Sequence, residues 1–128
     1  IMLAEDSILL SKMIPDALNT SGYVNVRMFS DGQALWSYLE SLRDVGDLDE
    51  RVRLVITDIE MPQMDGHRLT KLIKSDKQFT KLPVVIFSSM INEEMHRKGK
   101  ELGANEQLTK PEIGRLVEII DHLLAIQV

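Results

Sequence analysis

The sequence predicts a doubly wound α/β domain, a five-stranded parallel sheet with helices on both faces. Three observations carry that reading. Short apolar runs alternate with amphipathic segments along the whole chain, the order that strand-helix-strand crossovers require. Two of the runs, LVIT at 54–57 and VVIF at 84–87, are unbroken and β-branched, as strands covered on both faces should be. And 128 residues suit one domain able to bury roughly two thirds of its unfolded surface.

The elements follow in order. A first strand covers Ile1–Ala4. A first helix from about Ser7 should bury Leu10, Met13, Ile14, Ala17 and Leu18. Pro15 falls inside it and removes an amide donor at a cost of about 3 kcal/mol, so a kink or a later start is expected. Val24–Phe29 reads as the second strand, and a helix beginning near Asp31–Gly32 runs through Leu35, Trp36 and Leu39. RDVGDLDERVR at 43–53 is charged and reads as a long loop within the domain. Leu54–Thr57 is the third strand; the helix after Gly66 carries Leu69, Leu72 and Ile73. Val84–Phe87 is the fourth strand. The fourth helix, Asn92–Leu102, ends at Gly103 and has only Met95 and Leu102 on an apolar line opposite His96–Lys98, so its packing should be weak. After a polar fifth strand, Glu106–Thr109, a fifth helix from Pro111 places Ile113, Leu116, Val117, Ile120, Leu123 and Leu124 on one stripe.

Composition narrows the function. No cysteine means no disulfide framework and no thiolate metal site, in keeping with a cytoplasmic setting. A net charge of −5 argues against a nucleic-acid surface. No run approaches the roughly 20 apolar residues that span a membrane. The chain opens on IMLAED with no methionine before Ile1, which suits a domain, residues 1–128, excised from a longer protein.

An open sheet of this kind binds ligands beyond the carboxyl ends of its strands. Those ends carry Glu5 and Asp6, Asp58, Ser88 and Ser89, and Lys110. Gathered carboxylates repel one another unless a cation joins them, and oxygen-only ligands favour a hard ion such as Mg2+, which shares its shell readily with phosphate. An aspartate beside Mg2+, a lysine and a serine hydroxyl can attack a phosphoryl group, while the cations stabilise charge on its oxygens. Asp58 is the nucleophile this pattern selects.

AEDS at 4–7, TDIEMPQMDG at 57–66, FSS at 87–89 and TKP at 109–111 stand in the order and spacing of a known motif set, and through them the chain resembles the receiver domains of two-component response regulators. The resemblance implies a flavodoxin-like strand order, 2-1-3-4-5, and a histidine kinase as phosphodonor. It implies that Asp58 takes the phosphoryl group and later loses it by slow autodephosphorylation, with no separate substrate. Mg2+ would be held by Asp6, Asp58 and the Glu60 carbonyl, with Glu5 acting mostly through water. Lys110 would pair with Asp58 and then with the phosphoryl group, Ser88 would close on a phosphoryl oxygen, and Asp65 and Gly66 would shape the loop. The Lys110–Pro111 peptide is often cis in this family. DIEMPQMDGHRLTKLIKSD at 58–76, LPVVIFSSM at 82–90 and RKGKELGA at 97–104 further resemble the receiver of CheV-type chemotaxis scaffolds. That implies a chemotaxis kinase, a chemoreceptor coupling complex, and a role as scaffold or phosphate sink.

The chain departs from the family where Gln107 replaces an aromatic residue three before the lysine; hydrogen bonding to Ser88, or exposure, is expected of it. Glu60 and Met90 stand two places after Asp58 and Ser88 and flank the phosphoryl group, with Glu60 expected to tune its lifetime. His67, His96 and His122 are expected on the surface. Ile119 and Ile126 suit either ordinary surface positions or a face for weak dimers or partners beside the fourth helix and fifth strand. Rival readings are a receiver from a transcription factor or a single-domain regulator, a Mg2+-dependent small-molecule phosphatase, for which no segment is long enough to form a cap, and a flavin carrier, for which no phosphate loop follows strand one.

Overall fold

A computed structural model describes residues 1–43, 46, 48–89, 91–110 and 112–125. In order the elements are β1 (Met2–Ala4), α1 (Leu10–Thr20), β2 (Arg27–Phe29), α2 (Gly32–Ser41), α3 (Leu48–Arg51), β3 (Val55–Thr57), α4 (Gly66–Ser75), β4 (Val84–Ser88), α5 (Glu93–Leu102), β5 (Glu106–Thr109) and α6 (Ile113–Ala125). The strands form one parallel sheet in the order β2-β1-β3-β4-β5, as expected.

Side-chain alternation along the strands divides the core in two. Val55 and Val84 point to one face, where Leu35, Trp36 and Leu39 of α2 and Leu69 and Ile73 of α4 cover them with Phe79. Leu54, Ile56, Val85 and Phe87 point to the other, under Ile14 and Leu18 of α1 and Leu116, Ile120 and Leu123 of α6. The unbroken LVIT and VVIF runs thus serve two cores at once.

Several local expectations are corrected. α1 starts at Leu10, later than Ser7, and keeps Pro15 inside it. Met13 is 42 % exposed; the buried stripe reduces to Ile14 and Leu18. β2 is shorter than Val24–Phe29 because its only partner, β1, begins at Met2: pairing starts at Arg27, whose amide donates to the Ile1 carbonyl, and Val24 is left 71 % exposed. The loop read at 43–53 contains the four-residue α3, in which the Val52 amide donates to the Leu48 carbonyl, 2.9 Å away; Val52 is buried and Leu48 packs on the α2 side of the core. Two apolar residues four apart are enough to seat one turn in a charged stretch. The weak packing expected of the fourth predicted helix, α5, holds: only Gly99 is buried, with Met95 and Leu102 half-buried. α6 begins at Ile113; Pro111, Met90 and Ile126 lie outside the described residues.

Candidate functional site

Parallel strands bring their carboxyl ends to one edge, and there the sheet delivers the predicted groups. The Asp58 amide still belongs to the ladder, donating to the Ala4 carbonyl at 3.0 Å, so the strand itself aims the side chain. Its backbone carbonyl accepts a hydrogen bond from the buried Thr57 hydroxyl at 2.8 Å. Oδ1 accepts from the Ile59 amide at 2.7 Å, and Oδ2 accepts from Lys110 Nζ at 2.9 Å. Asp58 is 7 % exposed and Glu5 3 %.

Lys110 bridges two strands' worth of negative charge. Its ammonium sits 2.6 Å from Glu5 Oε1 as well as 2.9 Å from Asp58, and its amide donates to the Ser88 carbonyl at 2.7 Å. Burial alone would lower the lysine pKa; the hydrogen bonds to Glu5 and then Asp58 outweigh it and hold the group above its ordinary value. Glu5 is pushed up by burial, against the pull of Lys110 and of the Ser7 amide that donates to its Oε2.

A cavity of about 450 Å³ opens over this edge, lined by Asp6, Ser7, Leu10, Asp58, Glu60, Ser88, Ser89 and Lys110. Of the residues expected from sequence, Asp6, Asp58, Glu60, Ser88 and Lys110 face it. Glu5 lies beneath, paired to Lys110. Carboxylate oxygens of Glu5, Asp6 and Asp58 fall within 4.8 Å of one another, close enough to share one ion. Three carboxylates against one ammonium leave a formal charge of −2, which a divalent cation matches; the donor set fits a hard metal.

The loop after β3 is shaped by contact. Asp65 caps α4, its side chain accepting from the Arg68 amide at 2.8 Å, as a loop-shaping residue should. The Gly66 amide donates to the Ile59 carbonyl, and a Cβ at Gly66 would come within 1.8 Å of the Asp58 carbonyl oxygen. Only glycine lets the loop close this tightly behind the nucleophile.

Some assignments change. Gln107 neither reaches Ser88 nor lies in solvent: its Nε2 donates to the His96 carbonyl at 2.8 Å, and its Oε1 is buried. β5 turns residue 107 toward α5, and the mid-helix Gly99 leaves room for the amide. His67 is 6 % exposed, because the Asp65 cap turns the start of α4 toward α5; burial and then Lys98 hold its pKa below the ordinary histidine value. His96 and His122 are exposed as expected. Ile119 is half-buried against the α6 side of the core, which favours the ordinary reading of that residue. Thr57, Ser7 and Leu10 were missed. A hydroxyl directly before a strand-end aspartate was the available signal for the first; only the packing of α1 brings in the others.

A profile of the response regulator receiver domain matches residues 1–121. The chain belongs to that family. Its members are phosphoacceptor regulators, and an acidic site of the kind described above is the receiver's own. Chemotaxis protein CheV3 of Helicobacter pylori is 29 % identical over 126 residues, covering 97 % of this chain and 40 % of that protein. The polar-differentiation response regulator DivK of Brucella ovis is 30 % identical over 128 residues, covering 97 % and 94 %. Among solved structures, the phosphorylated cyanobacterial phytochrome response regulator RcpA is 28 % identical, with a TM-score of 0.78 over 98 % of this chain and 89 % of the other. The likeness to CheV expected from sequence is present, at an identity DivK equals. The receiver described here spans two fifths or less of its CheV relatives. No helix among the described residues is long and apolar enough to cross a membrane.

Proposed function

We propose that Asp58 is the phosphoacceptor of a cytoplasmic signalling receiver, charged by a histidine kinase. The observation that carries this is the Asp58 carboxylate in hydrogen bond to Lys110 at the floor of a cavity that also holds Asp6 and Ser88. A carboxylate oxygen attacks the phosphorus of a phosphohistidine, the P–N bond breaks, and the imidazole leaves with its electron pair and takes up a proton. Lys110 follows the charge from the carboxylate to a phosphoryl oxygen, and the Ser88 hydroxyl donates to another. Asp6, Asp58 and the Glu60 carbonyl would hold Mg2+, with Glu5 largely through water; bound there, the ion supplies charge neutralisation on the phosphoryl oxygens. Glu60, on the cavity wall, sets how easily water reaches the acyl phosphate, and slow hydrolysis resets the module.

Incubation with Mg2+ and acetyl phosphate, read by intact mass, tests this. One added phosphoryl group is expected, absent from Asp58→Asn and from metal-free protein; a folded, Mg2+-binding chain that takes none would overturn the reading.

For output we favour chemotaxis, with the receiver altering receptor-kinase coupling or draining phosphate from the kinase, on the strength of the CheV relatives. The equal likeness to DivK supports another response regulator as the second reading. Phosphotransfer rates from a panel of purified histidine kinases separate the two: preference for the chemotaxis kinase supports the first, preference for any other the second.

A further inference from the structure

α5 rests on a polar seat. The two buried side-chain atoms without a partner among the described residues, His67 Nε2 and Gln107 Oε1, both belong to residues packed against it. The Gln107 amide is the closer fit. Nε2 donates to the His96 carbonyl at 2.8 Å, and a Cβ at Gly99 would stand 2.4 Å from Oε1 and 2.7 Å from Cδ, so the amide occupies the notch the glycine leaves. Each half is unfavourable in isolation. Glycine weakens a helix interior, and a buried acceptor without a donor forfeits its hydration. Together they tie α5 to β5 in a way that a small displacement releases.

Both sides of this contact lead straight to the phosphoacceptor. Gln107 stands three residues before Lys110, whose ammonium holds Asp58. Ser88, on the cavity wall, ends β4 four residues before Asn92, whose side chain caps α5 by accepting from the Met95 amide. A shift of either strand end therefore pulls on one partner of the contact. The His96 carbonyl belongs to the same turn whose outer side, with Ile91, Asn92 and Arg97, lines a surface groove of about 480 Å³.

We propose that Gln107 and Gly99 form a clasp that holds α5 in its unphosphorylated position, and that phosphorylation reaches the α5 face by opening it. The second half rests on Asp58 being the phosphoacceptor. Gln107 is a positioning residue in this account and takes no part in the chemistry.

Hydrogen-deuterium exchange of the amides at 93–102, in the whole chain, tests both halves. Gly99→Ala is the discriminating variant, because helix propensity by itself predicts slower exchange, whereas ejection of the Gln107 amide predicts faster. About fivefold faster exchange across α5, the worth of one net hydrogen bond, is expected in Gly99→Ala and in Gln107→Ala, with the amides of β4 unchanged. Gln107→Ala opens space and keeps the test valid should Gly99→Ala fold poorly. Slower exchange in the first variant with none gained in the second overturns the clasp. With Mg2+ and acetyl phosphate, wild-type protein whose adduct is seen by mass should show the same acceleration in α5, and Gln107→Ala no further gain. An adduct with α5 unchanged overturns the signalling half. If no adduct forms, the reading of Asp58 is what fails, and the unphosphorylated variants still decide the clasp.

Discussion

The centre of the sheet and α5 stand side by side in this molecule and are held by different means. β3 and β4 are buried throughout, each feeding two hydrophobic clusters, and they carry Asp58 and Ser88 at their ends. α5 buries a single glycine and leans on an amide and an imidazole. A nucleophile must be aimed within fractions of an ångström, which a packed strand provides. An element that reports on that nucleophile must be able to move, and polar seats with unpaired atoms make movement inexpensive.

Four measurements break or sharpen this contrast. The largest effect is expected from the centre: Phe87→Ala should cost about 3–5 kcal/mol in urea denaturation, whereas Met95→Ala on α5 should cost under about 1 kcal/mol. Equal costs would mean the two regions are held alike. Next, Lys110→Met leaves Glu5 buried without its partner; a loss of about 3 kcal/mol at neutral pH is expected, together with loss of labelling by acetyl phosphate. Retained labelling would remove Lys110 from the chemistry.

A smaller effect concerns pH. Burial, then Lys98, lowers the His67 pKa, so between that value and the ordinary 6.5 the unfolded chain binds more protons than the folded one. Stability is therefore whole above pH 6.5 and is lost as pH falls through this window. His67→Leu should show a smaller loss between pH 7.5 and 5.5 than wild type, and equal losses would clear the imidazole of any role. The smallest effect is expected from Ile119→Glu, since the residue is only half-buried on α6: about 1 kcal/mol of stability, with no change of mass in analytical ultracentrifugation. A lower mass in the variant would restore Ile119 as part of a dimer face.

How legible the molecule was in its sequence varied with the range of the interaction. LVIT and VVIF declared their burial through composition alone, and each strand end could be read because a polar residue follows an apolar run. Gly66 and Asp65 were legible as loop formers, although the 1.8 Å approach that demands glycine was not. Edge positions misled: Val24 is as β-branched as Val84, yet its neighbour β1 is too short to pair with it. Met13 has the right helical phase and stays exposed. His67 and Gln107 were misplaced for a common reason, since a polar side chain is buried only when something else covers it, and what covers them is α5.

The sequence alone determined the alternation of strands and helices, the two-sided burial of the central strands and the identity of the groups at their ends, because these follow from periodicity and from which residue comes next. Only the tertiary structure decided that Lys110, 52 residues from Asp58 in the chain, would divide its ammonium between that carboxylate and Glu5, and that Gln107 would find its notch at Gly99. Those contacts join segments remote in sequence, and their geometry exists only once the sheet has set the strands side by side.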